Sequence, residues 1–190
     1  MDALLTQIAS LTRFSGVLNL VQKSENLGNA AWTKTASSIG TPIVNDGYSL
    51  DLLTEDSTLG AHQATQGVSF VAGTTYTVSV LAKAKERSRF YLTLGASAFS
   101  GFAIGDMNLG AVTAVSVGGT AVTPSIYLTT NGVYVCTITA TATATAAANI
   151  ILQLHNGTTN SYTGDGASGL YIGAVQAEIG TVRTNYVLNS

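Results

Sequence analysis

The sequence predicts an all-β fold: an antiparallel jelly-roll β-sandwich of about ten strands, preceded by a short N-terminal helical arm. Three observations lead there. Apolar residues alternate with period two over most of the chain, Gly-containing turn sequences punctuate the alternating runs, and no helical stretch separates one run from the next. Composition agrees, since 27 Thr, 25 Ala and 20 Gly fill 72 of 190 positions. The β-branched Thr favours a pleated strand over a helix.

The first element is the exception. From Asp2 to Leu11, the apolar residues Leu4, Leu5, Ile8 and Leu11 recur at three- and four-residue steps behind a capping Asp2, with no Gly or Pro before Gly16. This predicts an amphipathic helix over 3–12 that is marginal alone and needs a surface to lie on. Packing on its own domain and docking to a partner or to sister copies both satisfy that need. The domain division follows: residues 1–18 as the arm and 19–190 as the jelly roll.

Beyond Gly16 the period is two. Tyr76, Val78, Val80 and Ala82 alternate with Thr77, Ser79, Leu81 and Lys83, as in a strand with one buried face. Tyr134, Cys136, Ile138 and Ala140 repeat the pattern, as do Ile150, Leu152 and Leu154. The Thr-Ala run from Thr137 to Thr145 alternates strictly and is predicted as strand throughout. Turns are expected at Ala72-Gly73-Thr74, Gly118-Gly119, Asn131-Gly132, Asn156-Gly157 and Gly164-Asp165-Gly166. About ten strands then lie between Ile43 and Ile179, the pattern of a sandwich.

Composition excludes several function classes. Charged residues make up 9% of the chain, against about 25% in ordinary domains, while 46% is apolar. A disordered chain would show the reverse. A net charge of −2 has the wrong sign for nucleic acid. No apolar run reaches membrane-spanning length. The start of the chain lacks a secretory signal, so synthesis in the host cytoplasm is expected. Cys136 falls in an alternating run, as a buried inert thiol does.

Catalytic groups are sparse. His62 and His155 lack metal-ligand spacing, and His155 adjoins the Asn156-Gly157 turn, where a turn-bonded or solvated imidazole is expected. Asp51, Glu55 and Asp56 cluster beside a turn and suggest a solvated strand end more than a glycosidase pair. Lys83, Lys85, Arg87 and Arg89 form either a basic stripe that contacts an acidic surface or sugar, or the solvated turn between strands 74–84 and 90–94. Trp32 follows an irregular segment and is expected to plug the sandwich. The eight Tyr suggest no sugar-stacking platform. No catalytic residue is assigned.

Several segments, in order, resemble a jelly-roll domain recurring in tailed-phage structural proteins and similar to carbohydrate-binding modules. They are Asn19-Leu20, Ser24-Glu25-Asn26-Leu27-Gly28-Asn29-Ala30-Ala31-Trp32-Thr33-Lys34, Leu53-Thr54-Glu55-Asp56, and His62 with Gln66 and Val68. The stretch 72–84 continues the series. Tyr162-Thr163-Gly164-Asp165-Gly166, Gly169-Leu170-Tyr171-Ile172, Gln176-Ala177-Glu178 and Thr184-Asn185-Tyr186 close it. Two departures replace family Trp and Arg residues by smaller ones, at Val133 and Val135 and at Gly173. They either weaken sugar binding or repack the core.

The resemblance implies a virion part. The expected function is non-enzymatic: a capsid decoration or cement protein, or head fibre, on the virion surface. The alternative is a carbohydrate-binding adhesin module of a tail fibre. Length favours the capsid, since the sandwich leaves no room for a long shaft. The expected partners are the major capsid protein or another virion protein, sister copies forming a trimer, and a glycan; nucleic acid and membrane are not expected. Contact is assigned to Leu4, Leu5, Ile8 and Leu11 on the arm and to Lys83, Lys85, Arg87 and Arg89 on the sandwich. Related jelly rolls often carry a structural calcium, and Glu25 and Glu178 are the pair that resemblance would suggest. The acids are too scattered for a cage, so no metal and no cofactor is expected.

Overall fold

The computed structural model describes residues 17–116 and 120–190. The predicted helix over 3–12, with Leu4, Leu5, Ile8 and Leu11, lies outside the described residues.

The described chain forms β1 (Thr33–Thr35), β2 (Ser37–Asn45), β3 (Tyr48–Glu55), β4 (Leu59–Gly60), β5 (Gln63–Phe70), β6 (Thr75–Ala84) and β7 (Arg89–Leu94). It continues through β8 (Ala103–Asn108), β9 (Ala111–Ser116), β10 (Thr123–Leu128), β11 (Tyr134–Thr141), β12 (Ala146–His155), β13 (Tyr162–Thr163) and β14 (Gly169–Ile179). Two six-stranded sheets result: a first with order β1-β5-β12-β7-β8-β9, and a second with order β10-β11-β6-β14-β3-β2. Every pairing is antiparallel. The chain crosses repeatedly from sheet to sheet, as in jelly rolls.

Alternation puts the expected residues inside. Tyr76, Val78, Val80 and Ala82 of β6 face Phe90, Leu92 and Leu94 of β7 and Ile150, Leu152 and Leu154 of β12 in one continuous core. Trp32 is buried there and donates its indole N–H to Lys23 O at 3.2 Å, plugging the entry of the chain. Cys136 is fully buried, and desolvation pushes its thiol pKa up. Gly105 of β8 leaves no room for a side chain beneath β11: a Cβ there would lie 2.4 Å from Ile138 Cγ2.

Two expectations are corrected. Fourteen strands are formed among the described residues, beginning at Thr33 rather than Ile43. Pro42 does not delay β2, because β2 is an edge strand with an irregularity between Gly40 and Ile43, where a missing N–H is tolerated. The Thr-Ala run is strand only to Thr141. At 142–145 the chain turns from the second sheet to the first, held by Thr143 N–H on Ala98 O (2.8 Å) and Ala72 N–H on Thr145 Oγ1 (3.0 Å). Sequence alternation carries no mark of a change of sheet.

The outer face of the second sheet is partly covered. A bulge in β14 between Gly173 and Gln176, with Ala174 at φ 47°, shifts the register against β6. Beyond it Gln176 and Glu178 are buried against the C-terminal segment: Glu178 accepts from Thr184 N–H (3.0 Å) and Thr184 Oγ1 (2.7 Å), and Gln176 Oε1 accepts from Val187 N–H (2.7 Å). Asn19 ties this segment to the start of the sandwich. Its amide donates to Val175 O (3.0 Å) and Val187 O (2.9 Å) and accepts from Val21 and Ala177 N–H (both 3.1 Å). That satisfies the full bonding capacity of a buried amide.

Candidate functional site

A groove runs over the outer face of β10 and β11. One end is a cavity of about 360 Å³ lined by Asn45, Asp46, Tyr48, Leu81, Tyr127, Thr129, Val133, Val135 and Arg183. Next along the strands, a cavity of about 310 Å³ is floored by the hydroxyls of Thr77, Thr123, Ser125, Thr137 and Thr139, with Tyr127 and Arg183 common to both. A third stretch of about 460 Å³ continues past Thr123, Thr139 and Thr181. These volumes lie within the usual range of ligand sites.

Local sequence builds each wall. Strand alternation turns Thr123, Ser125 and Tyr127 of the edge strand β10 outward, while Ile126 packs on the core. The β2–β3 hairpin closes through Asp46 and Gly47, both at positive φ (54° and 80°), the geometry of a tight two-residue turn. The β10–β11 turn closes with Thr129 N–H on Val133 O at 2.8 Å. Asn131 Nδ2 donates to Asp46 Oδ1 and so joins the two hairpin tips at the head of the groove. The opposite wall is the C-terminal segment, which Thr77 Oγ1 holds through Gly180 O at 2.9 Å.

Polarity is uneven. Leu81, Val133 and Val135 form an apolar patch with Leu50 and Ala174, against which Tyr48 packs. Tyr48 also meets Tyr186 edge-on at 5.5 Å. Tyr127 leaves 51% of its surface open. Asn45 Oδ1 and Arg183 Nε are buried without a hydrogen-bond partner. Most buried polar atoms have one, so two such atoms on one cavity distinguish this face.

Lys83, Lys85, Arg87 and Arg89, assigned from sequence, do not line this groove. The 85–88 segment is the turn between β6 and β7, and its charges are used within the fold. Arg87 donates Nε to Glu55 Oε2 (2.8 Å) and Nη2 to Glu55 Oε1 (2.5 Å), and Lys85 pairs with Glu86 at 3.0 Å. Arg89 holds Asp106 through both Nε (2.8 Å) and Nη2. Lys83 sits on β6 opposite Tyr171 of β14. A free basic stripe is therefore absent from this turn.

Glu55 is the hub of that region. It is buried and also accepts from the Tyr162 hydroxyl (2.7 Å) and from Asp165 N–H (3.0 Å). Burial pushes its pKa up, but the bonds from Arg87, Tyr162 and Asp165 outweigh this and hold it below the usual value of 4.5. Asp165, bonded by Ser168 Oγ (2.6 Å) and by the N–H groups of Ser168 (2.7 Å) and Ala167 (2.8 Å), is held well below the usual carboxylate range. Asp51 is buried, which raises its pKa although Leu27 N–H bonds it at 2.6 Å; half-buried Asp56 caps Thr58. The three acids thus have separate structural duties.

His62 is fully buried with its ring nitrogens facing Ala36 O (2.6 Å) and Tyr162 O (3.1 Å). His155 accepts from Gly157 N–H at 2.9 Å, the expected turn bond. Glu25 accepts from Ser49 N–H (3.1 Å), and Glu178 serves the C-terminal segment. Among the described residues, no group of three His, Cys, Asp or Glu is placed to hold an ion.

Sequence reasoning missed Asn45, Asp46, Tyr127 and Arg183. The available signals were the Asp46-Gly47 hairpin, and an arginine beyond the last strand in a stretch otherwise short of charge.

No family model matches the chain, and no curated protein matches it. Among solved structures, it is similar to the enzymatically active domain of tailspike protein 4 of bacteriophage CBA120, with TM-score 0.51 and 13% identity over 85% of this chain and 21% of that one. The chain thus spans about a fifth of that domain's length. A CBM4 structure has TM-score 0.43 and 18% identity over 88% of this chain and 96% of that one. A carbohydrate-binding module studied for specific mannan recognition has TM-score 0.43 and 10% identity over 88% and 97%. The likeness to the tailspike domain is one of fold: a jelly-roll β-sandwich.

Proposed function

We propose that the chain is a non-catalytic glycan-binding β-sandwich, and that the groove over β10 and β11 is its binding site. One observation carries this reading. The groove pairs a half-open aromatic ring, Tyr127, with a hydroxyl-lined floor and with polar side chains whose bonding capacity is unspent at Asn45 Oδ1 and Arg183 Nε. A sugar ring presents an apolar C–H face, which stacks on such a ring, and a rim of hydroxyls, which bond to such polar groups.

Binding is favoured over hydrolysis because Asp46 is the carboxylate lining the groove, whereas glycosidases generally place two across the bond. The setting proposed is a tail fibre, the alternative to the capsid role that the sequence put first. The decorating role on a capsid draws less support, since Arg87 and Arg89 are occupied within the fold. A glycan array probed with the full chain tests the reading. Retained glycans that are lost with Tyr127→Ala are the expected result; an array without a bound glycan would overturn it.

A further inference from the structure

Three arginines lie in the described chain, and they are treated differently. Arg87 and Arg89 each grip a carboxylate through two nitrogens, on Glu55 and Asp106. Among the described residues Arg183 pairs with no carboxylate, and its Nε–H is buried without an acceptor. Asp46 lines the same cavity, but its Oδ1 is engaged by Asn131 and it makes no ion pair with Arg183. A buried guanidinium N–H left unbonded is costly, and its planar fork fits a two-oxygen anion better than a lone hydroxyl.

Asn45 Oδ1, on the same cavity, is a buried acceptor without a donor. The cavity therefore lacks one anionic acceptor and one hydroxyl donor, beside an open Tyr127 ring. A uronic-acid residue supplies all three: a carboxylate, hydroxyls and an apolar ring face. Resting on the glycan-binding reading above, we propose that the groove selects acidic oligosaccharides, with Arg183 receiving the sugar carboxylate, Asn45 a sugar hydroxyl and Tyr127 the ring face. The net charge of −2 gives the whole chain no attraction for anions, so selection rests on this local pair.

Calorimetry on the full chain decides it. The probes are trisaccharides of galacturonate, glucuronate and mannuronate, each measured beside its methyl ester at about 0.1 M salt, where screening acts over about 10 Å. At least one acid should bind about tenfold or more tightly than its ester, as expected for a charge-assisted bidentate bond. Arg183→Gln should erase that difference, bringing acid and ester to the same affinity, while Tyr127→Ala weakens both. Because the ester comparison leaves the protein unaltered, a poorly folding variant does not obscure the answer. Equal affinity of every acid and its ester, or binding confined to neutral glycans of the array, would overturn the acidic selection and leave the glycan reading standing. Absence of binding by all of these probes and by the array would overturn both.

Discussion

Arg87 and Arg183 sit in regions built on opposite principles. Around Arg87, acceptors and donors close on one another: the buried Glu55 takes bonds from Arg87, Tyr162 and Asp165, and Asp165 in turn ties its own turn together. Around Arg183 and Asn45, buried polar atoms stay open beside a half-exposed tyrosine. A closed network pins loops to the sandwich, as the 162–168 segment is pinned to β3. An open one keeps bonding capacity for something outside the chain. On the proposed reading, groups of similar chemistry serve structure in one region and recognition in the other.

Breaking the closed region should have the largest effect. Glu55→Gln removes the anion under Arg87 and should cost about 3–5 kcal/mol, as for other broken buried pairs. For a domain of this size, that lowers Tm by roughly 6 °C or more in a thermal melt. Glycan affinity at a temperature where the variant is folded should not change, because Glu55 does not line the groove. A loss of affinity would mean the two regions are coupled.

The same carboxylate sets an acid limb. Because its folded pKa lies below 4.5, its contribution is complete above the unfolded value and is lost as pH falls through the folded one. His155 adds in the same sense. Burial, then the charge of Arg89, lowers its pKa from 6.5 against the opposing pull of Asp106, so its share is lost as pH drops below 6.5. Asp51, raised by burial, acts oppositely and blunts the limb. Denaturant midpoints should decline from neutral pH to pH 3, and Glu55→Gln should flatten the slope below pH 4.5.

An intermediate effect is expected beneath the groove. Gly105→Ala would put a Cβ 2.4 Å from Ile138 Cγ2 and 2.6 Å from Met107 Cε. Overpacking of this kind costs about 1–3 kcal/mol. It presses β11 outward between the floor residues Thr137 and Thr139, so stability and glycan affinity should fall together. The smallest effect on stability belongs to Tyr127→Ala on the exposed edge strand: the midpoint should move by about 0.5 kcal/mol or less, while glycan affinity falls about tenfold, or 1.4 kcal/mol.

The closed region was partly legible in sequence and the open one was not, for a physical reason. Strands announce themselves by period-two alternation, so the faces of β6, β11 and β12 followed directly from Tyr76–Ala82, Cys136–Ala140 and Ile150–Leu154. The motif residues carrying the family resemblance are structural: Asn19, Gln176, Glu178, Thr184 and Tyr186 fasten the C-terminal segment, and Asp165 serves the Glu55 network. Tyr127 and Tyr48, scattered in the chain, share a cavity because of hairpin geometry and strand order. Arg183 gains meaning because, among the described residues, no carboxylate pairs with it, which depends on the folded path of the chain. In the basic run at 83–89 the turn was legible but the partners were not, since Glu55 and Asp106, which engage Arg87 and Arg89, are supplied by β3 and β8.

The most direct test of the account is an amide NMR titration of the full chain with the strongest glycan retained on the array. Saturable shifts confined to the Asn45–Tyr48 hairpin, the Thr123–Thr129 edge strand and the Thr181–Arg183 segment are predicted, with the Arg183 Nε–H resonance among the largest. The Arg87 and Arg89 Nε–H signals, already bonded within the fold, should stay in place. Shifts centred on the 85–89 turn or on the outer face of the first sheet, with the groove unmoved, would contradict it.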